Sequence, residues 1–521
     1  MSPATDRSPP REPLQAAACD LLVGIVGAGT MGSGIAEVAA RAGHPVLLLD
    51  VTPGAAACAI AGIAERLERD RARGRLDADQ VEATLTRLSP AGTVGDLAGC
   101  GLVLEAVAED LPLKRDLVAD LEAVLGADAV LATNTSSLSV TAVAAGLHDP
   151  SRLVGLHFFN PAPRMPLVEV VHGEDSDPAV VDAACALVQA WGKTPVRCTS
   201  TPGFVVNRVA RPFYGEAQRL VEEGCAGPSV VDRVLRDAGG FPMGPLELTD
   251  LVGQDVNLAV SRSVWEQTFH DPRYAPTVYQ QRLVDAGRLG RKTGRGVYRY
   301  DAGSTAPGGP RPEPVELPRT PAPAGGRWAG GWAVMSALQD RIIAAAIRSA
   351  GAEPADGAGL LLPSGGRLVE TTGTAAVDLG AQVVVLDWAL SPGSTTRVAL
   401  AAAPGCSIAT VAEAIGLVQS AGVEVELVQD VAGLVVARTV SMLVNEAVDL
   451  VARGGATAAD LDTAMRSGTG YPLGPLEWGD RIGPRHVLEV LVNLQHAYPT
   501  GRYRPSPALR RAVATGTPLR G

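Results

Sequence analysis

Lysine is nearly absent from this chain: of 45 basic residues in 521, only Lys114, Lys193 and Lys292 are lysines. Codon composition can produce such a bias, yet each lysine kept among arginines marks a place to look for a specific contact. Cysteine is also sparse. The seven (Cys19, Cys58, Cys100, Cys185, Cys198, Cys225 and Cys406) form no CxxC pair and are odd in number. That spread excludes a disulfide framework and a zinc site, and points to reduced thiols in a cytoplasmic protein. No apolar run is long enough to cross a membrane. Positive charge is short, with a net charge of −11, which argues against a nucleic-acid partner. A small anionic ligand stays open, since it needs only a local basic patch. The opening MSPATDRSPPREP holds Arg and Pro where a signal peptide needs apolar residues, so residues 1–19 are expected to be a disordered leader. Aromatics are 4%, against 46% hydrophobic residues, so the core must come from Ala, Val and Leu. The length predicts two to four domains.

What is present begins with the apolar run Leu21–Val26. Gly27-Ala28-Gly29-Thr30-Met31-Gly32 follows, then a small-residue helix to Ala42, then Pro45–Leu49 and Asp50. Strand, glycine turn, helix, strand and terminal acid make one βαβ unit. Apolar strands at Leu102–Leu104, Ala129–Leu131, Leu153–Leu156 and Leu167–Val171 continue the pattern. They predict a Rossmann-type parallel sheet covered on both faces, over residues 20–200. An all-α domain is expected over 201–300, with helices at 204–223, 229–237 and 252–269. A Pro/Gly linker is expected over 301–330. A degenerate Rossmann-like domain then spans 331–430 and a second helical domain 431–521.

The last two domains are expected from an internal repeat. FVVNR at 204–208 recurs as LVVAR at 434–438, Glu216-Ala217 as Glu446-Ala447, and FPMGPLE at 241–247 as YPLGPLE at 471–477. Every pair is offset by 230, without a gap from about residue 187 to 253. The chain is a fused duplication.

Three constellations carry chemistry. In the glycine loop, Gly27 permits the turn, Gly29 lets backbone approach a pyrophosphate, and Gly32 lets helix and strand pack closely. Glycine patterns arise by chance in a Gly-rich chain, but Asp50 closes the next strand, where a carboxylate accepts from a ribose diol and repels a 2′-phosphate. That favours NAD over NADP. Second, a strand delivers His157 at its carboxyl end, and Glu169 lies in the next strand; a carboxylate beside a histidine holds its tautomer and stabilises the imidazolium. Third, Thr133-Asn134-Thr135-Ser136-Ser137 follows an apolar strand and faces the same crevice, or serves as a helix cap. Arg66, Arg69, Arg71, Arg73 and Arg75 form either a solvated face or a clamp for phosphates.

With these residues the chain resembles the L-3-hydroxyacyl-CoA dehydrogenase family. GIVGAGTMGSGIA, EAVAEDLPLK, LATNTSSLSV, GLHFFNPAPRMPLVEVV, GKTPV, STPGFVVNR, FPMGPLELTDLVG and GRLGRKTGRGVYRY run in family order across about 20–300. The resemblance implies His157 as general base, Glu169 as its partner, and Ser136 and Asn207 around the reacting oxygen. It implies an NAD site lined by the 27–32 loop with Asp50, Glu109, Lys114, Ser136, Asn160 and Lys292, and CoA contacts from Arg66 and Arg73. No metal is implied. The tandem, single-site layout resembles enzymes acting on 3-hydroxybutyryl-CoA, or on 3-hydroxyadipyl-CoA in phenylacetate breakdown.

The second copy departs from the pattern: Ala437 replaces Asn207, Asp387 stands where His157 would fall, and 331–430 lacks GxGxxG. It is expected to bind no NAD and to catalyse nothing, its helical domain pairing with the first; a homodimer is left open. Two alternatives stand beside an acyl-CoA dehydrogenase: a dehydrogenase of a non-CoA hydroxy acid, and a non-catalytic NAD-binding protein. Acyl length and reaction direction are not encoded legibly.

Overall fold

A computed structural model describes residues 21–300, 327–329, 342, 353–354, 359–390 and 395–521. The expected leader, 1–19, lies outside the described residues, as does the expected linker, 301–330, apart from Arg327–Ala329. By compactness the chain divides into two units: residues up to Val206 with Gly454–Thr469, and Asn207–Arg453 with Gly470–Gly521. That division departs from the expected boundaries because one helix of the second copy, Ala458–Thr469, packs with the first unit.

The first unit holds an eight-stranded sheet: β1 (Val23–Val26), β2 (Val46–Leu49), β3 (Leu88–Pro90), β4 (Leu102–Glu105), β5 (Val130–Thr133), β6 (Leu153–Phe158), β7 (Leu167–His172) and β8 (Thr194–Thr199). The order is β3-β2-β1-β4-β5-β6-β7-β8. β1 to β6 pair in parallel, their apolar residues buried on both faces as continuous apolar strands require. β1 lies between β2 and β4, so the crevice for a ligand opens at its carboxyl end. The sheet is not parallel throughout, because β7 runs antiparallel to β6 and β8 follows β7. The link at 159–166 is shorter than the roughly dozen residues a parallel crossover needs, so the chain must turn back. That reversal sets His157 directly opposite Glu169.

The second unit holds a seven-stranded sheet ordered β10-β9-β11-β12-β13-β14-β15. Its strands are β9 (Arg327–Ala329), β10 (Glu353–Pro354), β11 (Gly359–Leu361), β12 (Arg367–Glu370), β13 (Val383–Leu386), β14 (Arg397–Ala402) and β15 (Glu424–Val428). β9 corrects the linker expectation at its end: Arg327–Ala329, set between Gly326 and Gly330, pair with β11 and β10. β12 to β15 repeat the parallel, antiparallel, parallel pairing of β5 to β8. No counterpart of β1 to β4, the half bearing the glycine loop, is described there.

The helix expected over 204–223 is broken into Val206–Val209 and Arg211–Glu222. Pro212 lacks the N–H that would continue the ladder; Met442, at the equivalent place, leaves Val436–Ala452 uninterrupted. Helices Arg211–Glu222 and Val436–Ala452 pack against each other. Phe241 meets Tyr471, its own equivalent, edge to face at 4.9 Å. Equivalent residues touch each other where two copies meet about a twofold. Buried Glu216 is held by Arg438, Arg502 and Tyr503, and buried Glu446 by Arg273 and Tyr274. Among the described residues no helix is long and apolar enough to cross a membrane, and no acid, His or Cys cluster could hold a metal.

Candidate active site

The crevice begins at Gly27, whose φ of 103° is a left-handed conformation that glycine adopts freely. A Cβ at Gly27 would lie 2.7 Å from the Ala106 carbonyl oxygen, and one at Gly32 would lie 1.7 Å from that of Gly27. These two glycines are demanded by the protein's own packing. Gly29 differs, with nothing within 4 Å of its would-be Cβ, so its backbone is open to close approach. Helix Thr30–Arg41 follows without a side-chain cap, and its first-turn N–H groups are available to an anion. Asp50 accepts from the N–H of Ala28 at 2.7 Å and of Thr52 at 2.8 Å. Burial pushes its pKa up, but those hydrogen bonds prevail and hold it below the usual value. Each oxygen keeps lone-pair capacity for a diol. The cradle therefore fits a dinucleotide lacking a 2′-phosphate.

The reversal between β6 and β7 brings together the next pair. His157 Nδ1 lies 2.7 Å from Glu169 Oε2, with the side chains 7% and 0% exposed. Glu169 Oε1 accepts from the backbone N–H of Val205 at 3.1 Å and of Val206 at 2.8 Å. Both carboxylate oxygens are thus engaged, and the contact with Nδ1 leaves the Nε2 edge of the ring turned away from Glu169. Phe159 and Phe204 flank the imidazole at 4.6 and 5.8 Å.

The polar loop after β5 is organised by two acids. Glu109 Oε1 accepts from Thr135 Oγ1 at 2.6 Å, and from the N–H groups of Ser136 and Ser137 at 2.9 Å each. Burial raises its pKa, but these donors and Lys114 together bring it below normal. Lys114 is 1% exposed and its ammonium contacts Glu105 at 2.8 Å and Glu109 at 3.5 Å. It holds carboxylates within the fold and is not displayed at the surface. Glu105 also accepts from Thr133 Oγ1. Asn134 Oδ1 accepts from the Phe158 N–H at 2.9 Å, linking the loop to the strand of His157.

Asn160 is exposed two residues beyond β6. Asn207 and Lys292 belong to the second unit, where Lys292 pairs with Asp255 at 2.6 Å. Arg66 Nε is bound to the buried Glu37 at 3.0 Å, and Arg73 lies exposed just past its helix. Sequence reasoning gave no role to Glu105 or Lys193, and read Asn134 only as part of the polar cluster after β5. Lysine scarcity flagged Lys193; its Nζ donates to the carbonyls of Ala162, Pro163 and Met165, in the link between the strands of His157 and Glu169.

The second copy shows what became of the same position. Asp387 is buried, and its carboxylate accepts from the N–H groups of Trp388, Val435, Val436 and Ala437. Val435 and Val436 are the equivalents of Val205 and Val206. Ala399 stands where Glu169 would be, and bonds Asp387 across the strands. One carboxylate at the histidine's place accepts the amide hydrogen bonds that Glu169 accepts in the first copy.

Three domain descriptions match the chain. "3-hydroxyacyl-CoA dehydrogenase, NAD binding domain" matches residues 22–201, the C-terminal domain of the same family matches 203–300 and 433–520, and a "3-hydroxybutyryl-CoA dehydrogenase reduced Rossmann-fold domain" matches 368–431. A 3-hydroxyadipyl-CoA dehydrogenase of Escherichia coli (strain K12) is 44% identical over 94% of this chain and 96% of its own length. A 3-hydroxybutyryl-CoA dehydrogenase of Mycobacterium tuberculosis is 41% identical, covering 53% of this chain and 98% of its own. The crystal structure of a 3-hydroxybutyryl-CoA dehydrogenase from Escherichia coli K12 superposes with a TM-score of 0.85 at 43% identity, covering 95% of this chain and 98% of that one.

Proposed function

The chain belongs to the 3-hydroxyacyl-CoA dehydrogenase family, and on that premise we propose that it oxidises the 3-hydroxyl of a short or dicarboxylic L-3-hydroxyacyl-CoA at one site per chain. The 2.7 Å contact between His157 and Glu169 carries the reading. With Nδ1–H donated to Glu169, His157 offers Nε2 to the substrate hydroxyl and takes its proton. Glu169, fixed by the Val205 and Val206 amides, then faces an imidazolium it can stabilise. NAD, when bound, accepts the hydride that leaves C3. Ser136 and Asn207 orient the reacting oxygen. The 27–32 loop and Asp50 hold the dinucleotide, with Asn160 and Lys292 completing its site, while Lys114 keeps Glu109 charged beside it. Arg66 and Arg73 answer the phosphates of CoA.

The chain's likeness over nearly its whole length to a 3-hydroxyadipyl-CoA dehydrogenase supports a six-carbon dicarboxylic acyl group over a four-carbon one. The scattered cysteines, none in a disulfide among the described residues, support a cytoplasmic setting. The packing of Arg211–Glu222 on Val436–Ala452 supports pairing of the two helical copies within one chain. NADH absorbance tests the reading: acetoacetyl-CoA should be reduced, and 3-hydroxyadipyl-CoA oxidised with a higher kcat/KM than 3-hydroxybutyryl-CoA. Equal or reversed preference refutes the dicarboxylic assignment. Turnover of a free hydroxy acid that CoA does not inhibit refutes the acyl-CoA assignment.

A further inference from the structure

We propose that the silent second copy braces the catalytic pair, through helix Ala458–Thr469 with Gly468 as a positioning residue for Glu169. This rests on His157 and Glu169 being the acid–base pair. The helix packs on β7 and β8, and its preceding turn is bonded to the sheet edge, where Gly455 accepts from the Thr199 N–H at 2.9 Å. Leu461, Ala464 and Met465 on it are fully buried. At Gly468 a Cβ would lie 2.6 Å from Leu167 Cδ2 and 3.1 Å from Val206 Cγ2. Those two neighbours bracket Glu169. Leu167 lies two residues before it on β7, with its side chain on the same face. Val206 supplies the N–H that Glu169 Oε1 accepts at 2.8 Å. Gly468 therefore lets a helix of the second copy press on both the strand and the turn that aim the carboxylate. Displacing that carboxylate would tilt the imidazole it holds, and misplacement of about 1 Å costs on the order of a hundredfold in rate.

The same contact recurs on the other sheet, 230 residues away. There Gln429 N–H donates to Cys225 at 2.8 Å, helix Pro228–Asp237 packs on β14, and Asp237 pairs with Arg397 at 3.2 Å. Ala399 occupies the Glu169 position on β14, so that brace has no carboxylate to aim. It serves as an internal control.

The test uses the full-length chain carrying Gly468→Ala, Gly468→Val, Gly468→Val with Leu167→Ala, or Asp237→Asn. Each is assayed for acetoacetyl-CoA reduction across pH, for NADH affinity by titration, and for Tm. Gly468→Val should lower kcat about tenfold or more and displace the pH profile, with NADH affinity unchanged. Gly468→Ala should do so less, and Leu167→Ala should restore part of the lost kcat by making room. Asp237→Asn should lower Tm alone. If Gly468→Val does not fold, Gly468→Ala with and without Leu167→Ala decides. Unaltered kcat and pH profile in a folded Gly468 variant would overturn the brace. A wild-type chain inert toward every 3-hydroxyacyl-CoA would instead overturn the functional reading beneath it.

Discussion

Lys193 donates to three carbonyls, those of Ala162, Pro163 and Met165 at 2.7, 3.2 and 2.9 Å, and so ties down the link joining the strands of His157 and Glu169. Lys193→Met would leave those carbonyls without their donor. Thermal melts should show a loss of about 1–3 kcal/mol, and steady-state assays a fall in kcat/KM of roughly tenfold. Unchanged kinetics would mean that the link holds its shape unaided. The position was legible as an anomaly, a lysine in an arginine-rich chain, but its partners were not, since they are backbone atoms 28 to 31 residues earlier. The glycine loop was legible down to single residues because each requirement is local: a turn, a close approach, a helix start. Asp50 was legible as the acid that closes the second strand, whereas its grip on the Ala28 amide of the same loop was not.

At the scale of elements, strands could be read from apolar runs, but their direction could not be read from composition. β7 looks like its parallel neighbours in sequence, and only the shortness of the 159–166 link reverses it. Pro212 breaks a helix in one copy that runs unbroken in the other, a difference visible in the sequence once the two copies are aligned. Asp387 was recognisable as a lost histidine and not as a structural carboxylate, because three of its four amide donors lie in a separate stretch of chain, Val435 to Ala437. Asp387→Ala should strand those buried N–H groups and cost about 2–4 kcal/mol by chemical denaturation, while kcat per folded molecule stays at the wild-type level. A fall in kcat without loss of stability would mean that the second sheet takes part in turnover.

At the scale of the whole molecule, the described residues hold two sheets, and the two helical copies are locked by buried charge. Arg502 and Arg438 overcome the burial of Glu216 and bring its pKa from 4.5 down to about 2. Because the folded value lies below the unfolded one, this stabilisation is full above about pH 4.5 and is lost as pH falls toward 2. Denaturant midpoints should decline across that window. Glu216→Gln should flatten part of the decline while costing roughly 3–5 kcal/mol at neutral pH, since it leaves buried arginines unpaired. An unaltered acid slope in Glu216→Gln would place the lock elsewhere. The repeat offset was plain in the sequence, yet the exchange of helix Ala458–Thr469 into the first unit was not, because it depends on contacts between segments some 250 to 300 residues apart.

The central claim is that a duplicated chain keeps a single working site on His157. The most direct measurement is acetoacetyl-CoA reduction by full-length His157→Ala, followed as NADH absorbance, with NADH binding shown intact by titration. The account predicts a loss of kcat on the order of 10²–10⁴-fold. Turnover within a few-fold of wild type would contradict it, since it would require a base elsewhere in the chain.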